Sequence, residues 1–94
     1  MDIISIKHKG LQTLIEHNDA AKVPANMRNR IKNVLAAIVS ATDINGVIGP
    51  PGWNVHQLQG DRAGTWSVSV KGNWRVTFKP INNQVHDLHL EDYH

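Results

Sequence analysis

Residues 66–79 read WSVSVKGNWRVTFK, and the period of their side chains decides the fold. Trp66, Val68 and Val70 alternate with Ser67 and Ser69; after a Lys-Gly-Asn break, Trp74, Val76 and Phe78 alternate with Arg75, Thr77 and Lys79. Successive side chains of a strand project to opposite faces, so period-two alternation predicts two half-buried strands joined at residues 71–73. The apolar set faces a core, and Arg75 points away from it. A second turn at INNQ (81–84) leads into VHDLHL (85–90), which predicts a third strand paired antiparallel through a short hairpin.

Upstream the period changes to that of a helix. From Ala25 to Ala41, Met27, Ile31, Val34, Leu35 and Ile38 form one stripe, while Arg28, Arg30, Lys32 and Asn33 lie elsewhere on the surface. KGLQTLIEHND (9–19) places Leu11, Leu14 and Ile15 at helical spacing, and DIISI (2–6) before it has strand composition. Between the second helix and the sheet, INGVIGPPGWN (44–54) carries three Gly and two Pro and is expected to cross over as a loop. His56 in NVHQLQG is assigned to a short loop. The resulting fold class is α+β, with two N-terminal helices packed on a curved, mainly antiparallel sheet.

Ninety-four residues suit one compact domain, 1–94, with a single core. The absence of cysteine excludes a disulfide framework, a thiolate metal site and a cysteine nucleophile. Chemistry must come from His, acids, Tyr or hydroxyls. The longest apolar run, VLAAIV (34–39), is far short of the ~20 residues that span a bilayer. MDIISIKHKG lacks a secretory pattern, so a cytoplasmic protein without membrane attachment is expected. Ten Lys and Arg against eight Asp and Glu give +2 with His neutral. That small excess favours a local anion site, built from Arg62, Lys71, Arg75 and Lys79, over a surface coated for non-specific nucleic-acid binding.

Trp66 and Trp74 alternate in phase with Val and Phe and are therefore read as core anchors; Trp53, in the Pro-Gly loop, has no assignment. His86 and His89 lie three apart, which on a regular strand puts them on opposite faces and argues against a metal pair. No metal or other cofactor is expected. Asp61 and Arg62 in GDRAG pair naturally as a turn and ion pair, although Arg62 also belongs to the candidate anion site.

The run LQGDRAGTWSVSVKGNWRVTFKP (58–80), the amino-terminal KHKGLQTLIE (7–16) and the terminal DYH (92–94) together resemble the HigB-type killer toxins, a branch of the RelE superfamily of type II toxin–antitoxin systems. The resemblance covers nearly the whole chain in the right order. It implies a RelE-like, microbial-RNase-like fold and a ribosome-dependent messenger-RNA endonuclease. The implied partners are the ribosome, messenger RNA and a cognate HigA-like helix-turn-helix antitoxin, with operator DNA engaged only indirectly through that antitoxin. Metal-free RNA cleavage needs a base for the ribose 2′-OH, an acid for the departing 5′-oxygen and a cation for the phosphorane. Histidine suits both proton roles because its unperturbed pKa is ~6.5.

On the family pattern the catalytic positions are His56, Arg75, Asp92, Tyr93 and His94. Arg62, Lys71, Gln59 and Lys79 are the accompanying RNA contacts. Gln59 stands where these toxins often carry lysine, and a neutral amide cannot stabilise a phosphorane as an ammonium does. The electrostatic task then shifts toward Arg75 or Arg62. A non-catalytic RNA- or antitoxin-binding module on the same fold is the competing class. Binding alone requires cations and aromatics but no paired proton carriers.

Overall fold

The computed structural model describes residues 1–92. Its elements are β1 (Asp2–Ile3), α1 (Lys9–His17), α2 (Arg28–Ser40), β2 (His56–Gln57), β3 (Trp66–Lys71), β4 (Trp74–Ile81) and β5 (Gln84–Asp92), with short 3-10 turns between them. The sheet order is β1-β5-β4-β3-β2; β1 runs parallel to β5 and the other neighbours are antiparallel. Two helices thus pack on a five-stranded mixed sheet, as the α+β reading requires.

The hairpins follow from local backbone chemistry. Asn82 and Asn83 both adopt positive φ (52° and 60°), the two-residue arrangement whose twist matches that of paired strands. Gly72 takes φ 55° in the β3–β4 turn, where a side chain would be strained. One face of the resulting meander is apolar. Val68, Val70, Val76, Phe78, Val85, Leu88 and Leu90 are buried together with Leu11 and Leu14 of α1 and Ile31, Val34, Leu35 and Ile38 of α2. Burying one such side chain is worth roughly 1.5–3 kcal/mol, so this face supplies most of the fold's stability. Trp53, Trp66 and Trp74 are partly buried against the same cluster.

Several details depart from the sequence expectations. The helix expected from Ala25 begins with a 3-10 turn over Ala25–Met27, because Pro24 and the absence of a side-chain cap leave the first turn to tighten. Ile15 is exposed, since α1 buries only the narrower stripe of Gly10, Leu11 and Leu14. The Gly-Pro segment is not structureless; it folds into 3-10 turns at Ile44–Gly46 and Pro51–Trp53. His56 does not lie in a loop. It starts β2, whose two residues were too few for a period to be visible.

The larger correction concerns β5. Thr77 registers with His89 and Lys79 with His86, so β5 carries one residue more than β4 over this interval. The extra residue is accommodated at Asp87, which takes φ 54° and donates its backbone N–H to Ser5 Oγ at 2.8 Å. A bulge of this kind breaks strict alternation, so the rule that sends His86 and His89 to opposite faces does not apply here.

Candidate functional site

The face of the sheet turned away from the helices is where the polar half of each alternating strand collects. Directly opposed residues project to the same side. His56 opposes Ser67, Ser67 opposes Thr77, and Thr77 opposes His89, giving one transverse row across β2, β3, β4 and β5. The adjacent row is Ser69, Arg75 and Glu91. Seven polar residues from four strands are thereby gathered by register alone.

Long side chains of this face cover the short ones. Ser67 and Thr77 are buried, at 0% and 2% exposure, although they point away from the apolar core. Each finds its hydrogen bond in a charged neighbour: Arg75 Nη1 donates to Ser67 Oγ at 3.3 Å, and Thr77 Oγ1 donates to Glu91 Oε2. Buried hydroxyls without such partners would be costly, so Arg75 and Glu91 are held in place by what they satisfy. The Arg75 guanidinium consequently lies on the residue facing His56. His56 Nδ1 is 2.6 Å from the Asn54 carbonyl oxygen, and only a protonated Nδ1 can donate there. That tautomer presents Nε2 as the ring's acceptor.

Arg62, on the 3-10 turn Gly60–Arg62, crosses to β5 and pairs with Glu91 through both nitrogens, Nη1–Oε1 at 3.0 Å and Nη2–Oε2 at 2.6 Å. Burial pushes the Glu91 carboxyl up. Hydrogen bonds from Arg62 and Thr77 and the Arg62 charge outweigh it and hold the group below its ordinary value. The turn is therefore tied to β5 across 29 residues of sequence, a contact invisible in GDRAG itself. Lys79 Nζ lies 3.7 Å from Asp87 Oδ2. Between these two pairs is a pocket of ≈ 120 Å³ whose lining includes Lys7, Arg62, Thr77, Lys79, His89 and Glu91.

At its flank the His8 and His89 rings lie 5.8 Å apart, tilted by 46°. Burial, and then the charge of His89, lower the pKa of His8. His8 also caps α1, its Nδ1 accepting the Leu11 N–H at 3.2 Å, a bond that requires the neutral ring.

The sequence candidates divide into groups. His56, Arg75, Arg62 and Lys79 share the polar face. Gln59 is exposed beside the Gly60–Arg62 turn. Lys71 and Asp92 lie elsewhere: both register with Trp74, and with Pro24, Asn26 and Met27 they line a groove on the helical side of the sheet end. Tyr93 and His94 lie outside the described residues. Glu91, Thr77, Ser67, His89 and His8 were missed by sequence reading. Period-two alternation does put Ser67, Thr77 and Glu91 opposite the core, but serine or threonine on such a face reads as ordinary solubilising polarity. Among the described residues no group of three or more His, Cys, Asp or Glu is placed to hold a metal ion, and no helix is long and apolar enough to cross a membrane.

Comparison with known proteins bears on this geometry. The YafQ structure from E. coli strain BL21(DE3) superposes with a TM-score of 0.64 at 15% identity, covering 97% of this chain and 91% of that one. The YoeB–YefM complex from Staphylococcus aureus gives 0.58 at 16% identity, covering 100% and 97%. These two establish the likeness of fold. At the sequence level the chain is 46% identical over 92 residues to the Endoribonuclease HigB of Proteus vulgaris, covering 98% of this chain and 99% of that protein. Residues 4–94 match the family described as the RelE-like toxin of the type II toxin–antitoxin system HigB. With the family pattern spanning almost every residue and the fold of RelE-type toxins beneath it, the chain belongs to the HigB-like toxins of type II toxin–antitoxin systems.

Proposed function

We propose that this toxin is an endoribonuclease that cuts translated messenger RNA on the ribosome, without a metal ion, by attack of a ribose 2′-OH on the adjacent phosphate. The relative from Proteus vulgaris, at 46% identity, is an endoribonuclease by name. The observation that carries the reading is the placement of the Arg75 guanidinium on Ser67 Oγ, directly across from His56. A phosphate bound by Arg75 would sit beside Ser67, the residue that opposes His56, whose Nδ1 is committed to the Asn54 carbonyl.

In this mechanism one histidine takes the 2′-OH proton as the new O2′–P bond forms, and another protonates the 5′-oxygen as the P–O5′ bond breaks. His56 and His94 divide these roles. Arg75 stabilises the phosphorane, where a planar fork matches two equatorial oxygens. Asp92 orients His94, Tyr93 contacts a base, Arg62, Lys79 and Gln59 engage the RNA backbone at the polar face, and Lys71 engages it past the sheet end, from the groove on the helical side. The products are a 2′,3′-cyclic phosphate and a 5′-hydroxyl end. The protein works in the cytoplasm, where a cognate HigA-like helix-turn-helix antitoxin silences it; operator DNA is met only through that antitoxin.

The test is cleavage of messenger RNA on programmed ribosomes, mapped by primer extension, for the parent, His56→Gln, Arg75→Ala and His94→Gln. Parent cleavage within the translated region, and loss of at least about a hundredfold in Arg75→Ala, are expected. Full cleavage by both histidine variants would remove the acid–base mechanism. A parent that binds ribosomes without cutting would favour the non-catalytic module.

A further inference from the structure

Glu91 stands at the centre of the polar face between two arginines. It opposes Arg75 across the β4–β5 ladder, and its carboxylate takes the Arg62 fork at 2.6 and 3.0 Å together with the Thr77 hydroxyl. We infer that Glu91 is a positioning residue, which fixes the plane of the Arg62 guanidinium over the polar face and offsets part of the cationic charge there. The face then grips RNA through aimed contacts instead of bulk attraction. This rests on the endoribonuclease reading and extends it to a residue outside the family pattern.

Three observations lead there. A guanidinium carries five N–H donors in a rigid fork, and a carboxylate engaging both terminal nitrogens sets the directions of all of them. An arginine without that support samples many rotamers and loses this freedom only when a phosphate arrives. Second, Arg62 projects from a turn flanked by Gly60 and Gly64, both at positive φ, and its side chain reaches β5 across 29 residues of sequence. Third, the surrounding pocket is balanced in charge. Lys7, Arg62 and Lys79 meet Asp61, Asp87 and Glu91, with Arg62–Glu91 and Lys79–Asp87 already paired. A surface built for non-specific attraction would leave cations in excess.

The inference is tested with the full-length parent, Glu91→Gln, Glu91→Asp, Arg62→Ala and the Arg62→Ala/Glu91→Gln double variant. Cleavage on programmed ribosomes gives kcat and KM; binding of a single-stranded RNA oligonucleotide across a KCl series gives the salt slope; thermal melts report folding. Glu91→Gln keeps the size of the side chain but loses the charge and the two-pronged pair. Its kcat is expected to fall on the order of tenfold or more through misplacement of Arg62. Its RNA affinity should become steeper in salt by about 0.7 on logarithmic axes, because the face carries one negative charge fewer. Glu91→Asp should restore the parental slope because it restores the charge, and Glu91→Gln should add nothing to kcat once Arg62 is alanine.

A lower melting temperature with parental kcat and parental slope would overturn the inference, leaving Glu91 purely structural. So would independent, multiplying effects of Glu91→Gln and Arg62→Ala. If Glu91→Gln does not fold, Glu91→Asp decides: a slope unlike the parent's overturns the idea. A parent that cuts no messenger RNA would overturn the endoribonuclease reading itself, an outcome separable from all of these.

Discussion

The two faces of the sheet are made by the same strands at alternate residues, yet they are held by different forces. Toward the helices, Val68, Val76, Phe78, Leu88 and Leu90 are at most 3% exposed, and their contribution is nondirectional burial of apolar surface. Away from the helices, Ser67, Arg75, Thr77 and Glu91 form a second, smaller interior whose stability depends on each donor meeting its acceptor. The first face tolerates exchange of one hydrocarbon for another of similar volume. The second tolerates little exchange, but it leaves charged groups at the surface where a polyanion can reach them. Stability and chemistry are thus separable by substitution, and the separation can be attacked from either side.

The largest expected effect falls on the apolar face. Phe78 is fully buried, and Phe78→Ala should cost about 3–5 kcal/mol through lost transfer energy and a residual cavity. Chemical denaturation should show the loss; a change under about 1 kcal/mol would mean that the helical layer closes over the gap.

On the polar face the order reverses, with activity lost before stability. Arg75→Ala should lower cleavage by about 10²–10³, the usual size for removing one electrostatic stabiliser. Stability should drop by only about 1 kcal/mol, for the Ser67 hydroxyl left without its donor. Arg75→Lys should recover little activity, since the charge remains but the fork is gone. A soluble, fully toxic Arg75→Ala would dissolve the distinction between the faces.

The seam between α1 and the following loop offers a smaller, purely steric case. A Cβ at Gly10 would stand 2.7 Å from the Lys22 carbonyl oxygen and 2.8 Å from the His8 ring. Gly10→Ala should therefore destabilise by about 1–3 kcal/mol, as overpacking does, despite the better helix propensity of alanine. A stabilised variant, read from its melting temperature, would show that the loop carbonyl moves away freely.

Smaller still is the effect of restoring a cation beside the polar face. Gln59 is exposed, so Gln59→Lys should leave stability within about 0.5 kcal/mol of the parent. Cleavage on the ribosome should rise a few-fold if a missing ammonium limits the rate. An unchanged or slower rate would place the whole electrostatic task on the arginines.

The faintest expected signal is in pH. The pKa of His8 lies below its ordinary 6.5, so the unfolded chain binds the proton more readily and stability falls as pH drops from 6.5 toward the folded value. Glu91 is held below its ordinary 4.5, so its contribution is complete above that pH and is lost as pH falls through the folded value. Acidification should therefore weaken the fold in two windows. His8→Asn keeps a capping acceptor without titrating and should flatten the upper window alone. An unaltered stability profile in that variant would assign the upper window to another group.

Much of this was legible in the chain because side-chain period is a local property. The alternation in residues 66–79 and the stripe from Met27 to Ile38 each needed only neighbouring residues, and they fixed the β3–β4 hairpin, the buried face of α2 and the outward direction of Arg75. The family resemblance likewise rested on contiguous motifs. What sequence could not reach was every feature created by register between distant segments. His56 became a strand residue only through pairing with Ser67, and Arg62 found Glu91 only because a loop closes over β5. Asp87, by taking a left-handed conformation, reset which side chains of β5 share a face. Lys71 and Arg75 are near neighbours in sequence, yet Lys71 lines the groove on the helical side and Arg75 belongs to the polar face. The sequence by itself determined which residues are apolar, at what spacing, and hence the layers. The tertiary structure decided which polar groups meet, because a hydrogen bond or ion pair depends on distances that close only when strands remote in the chain are brought side by side.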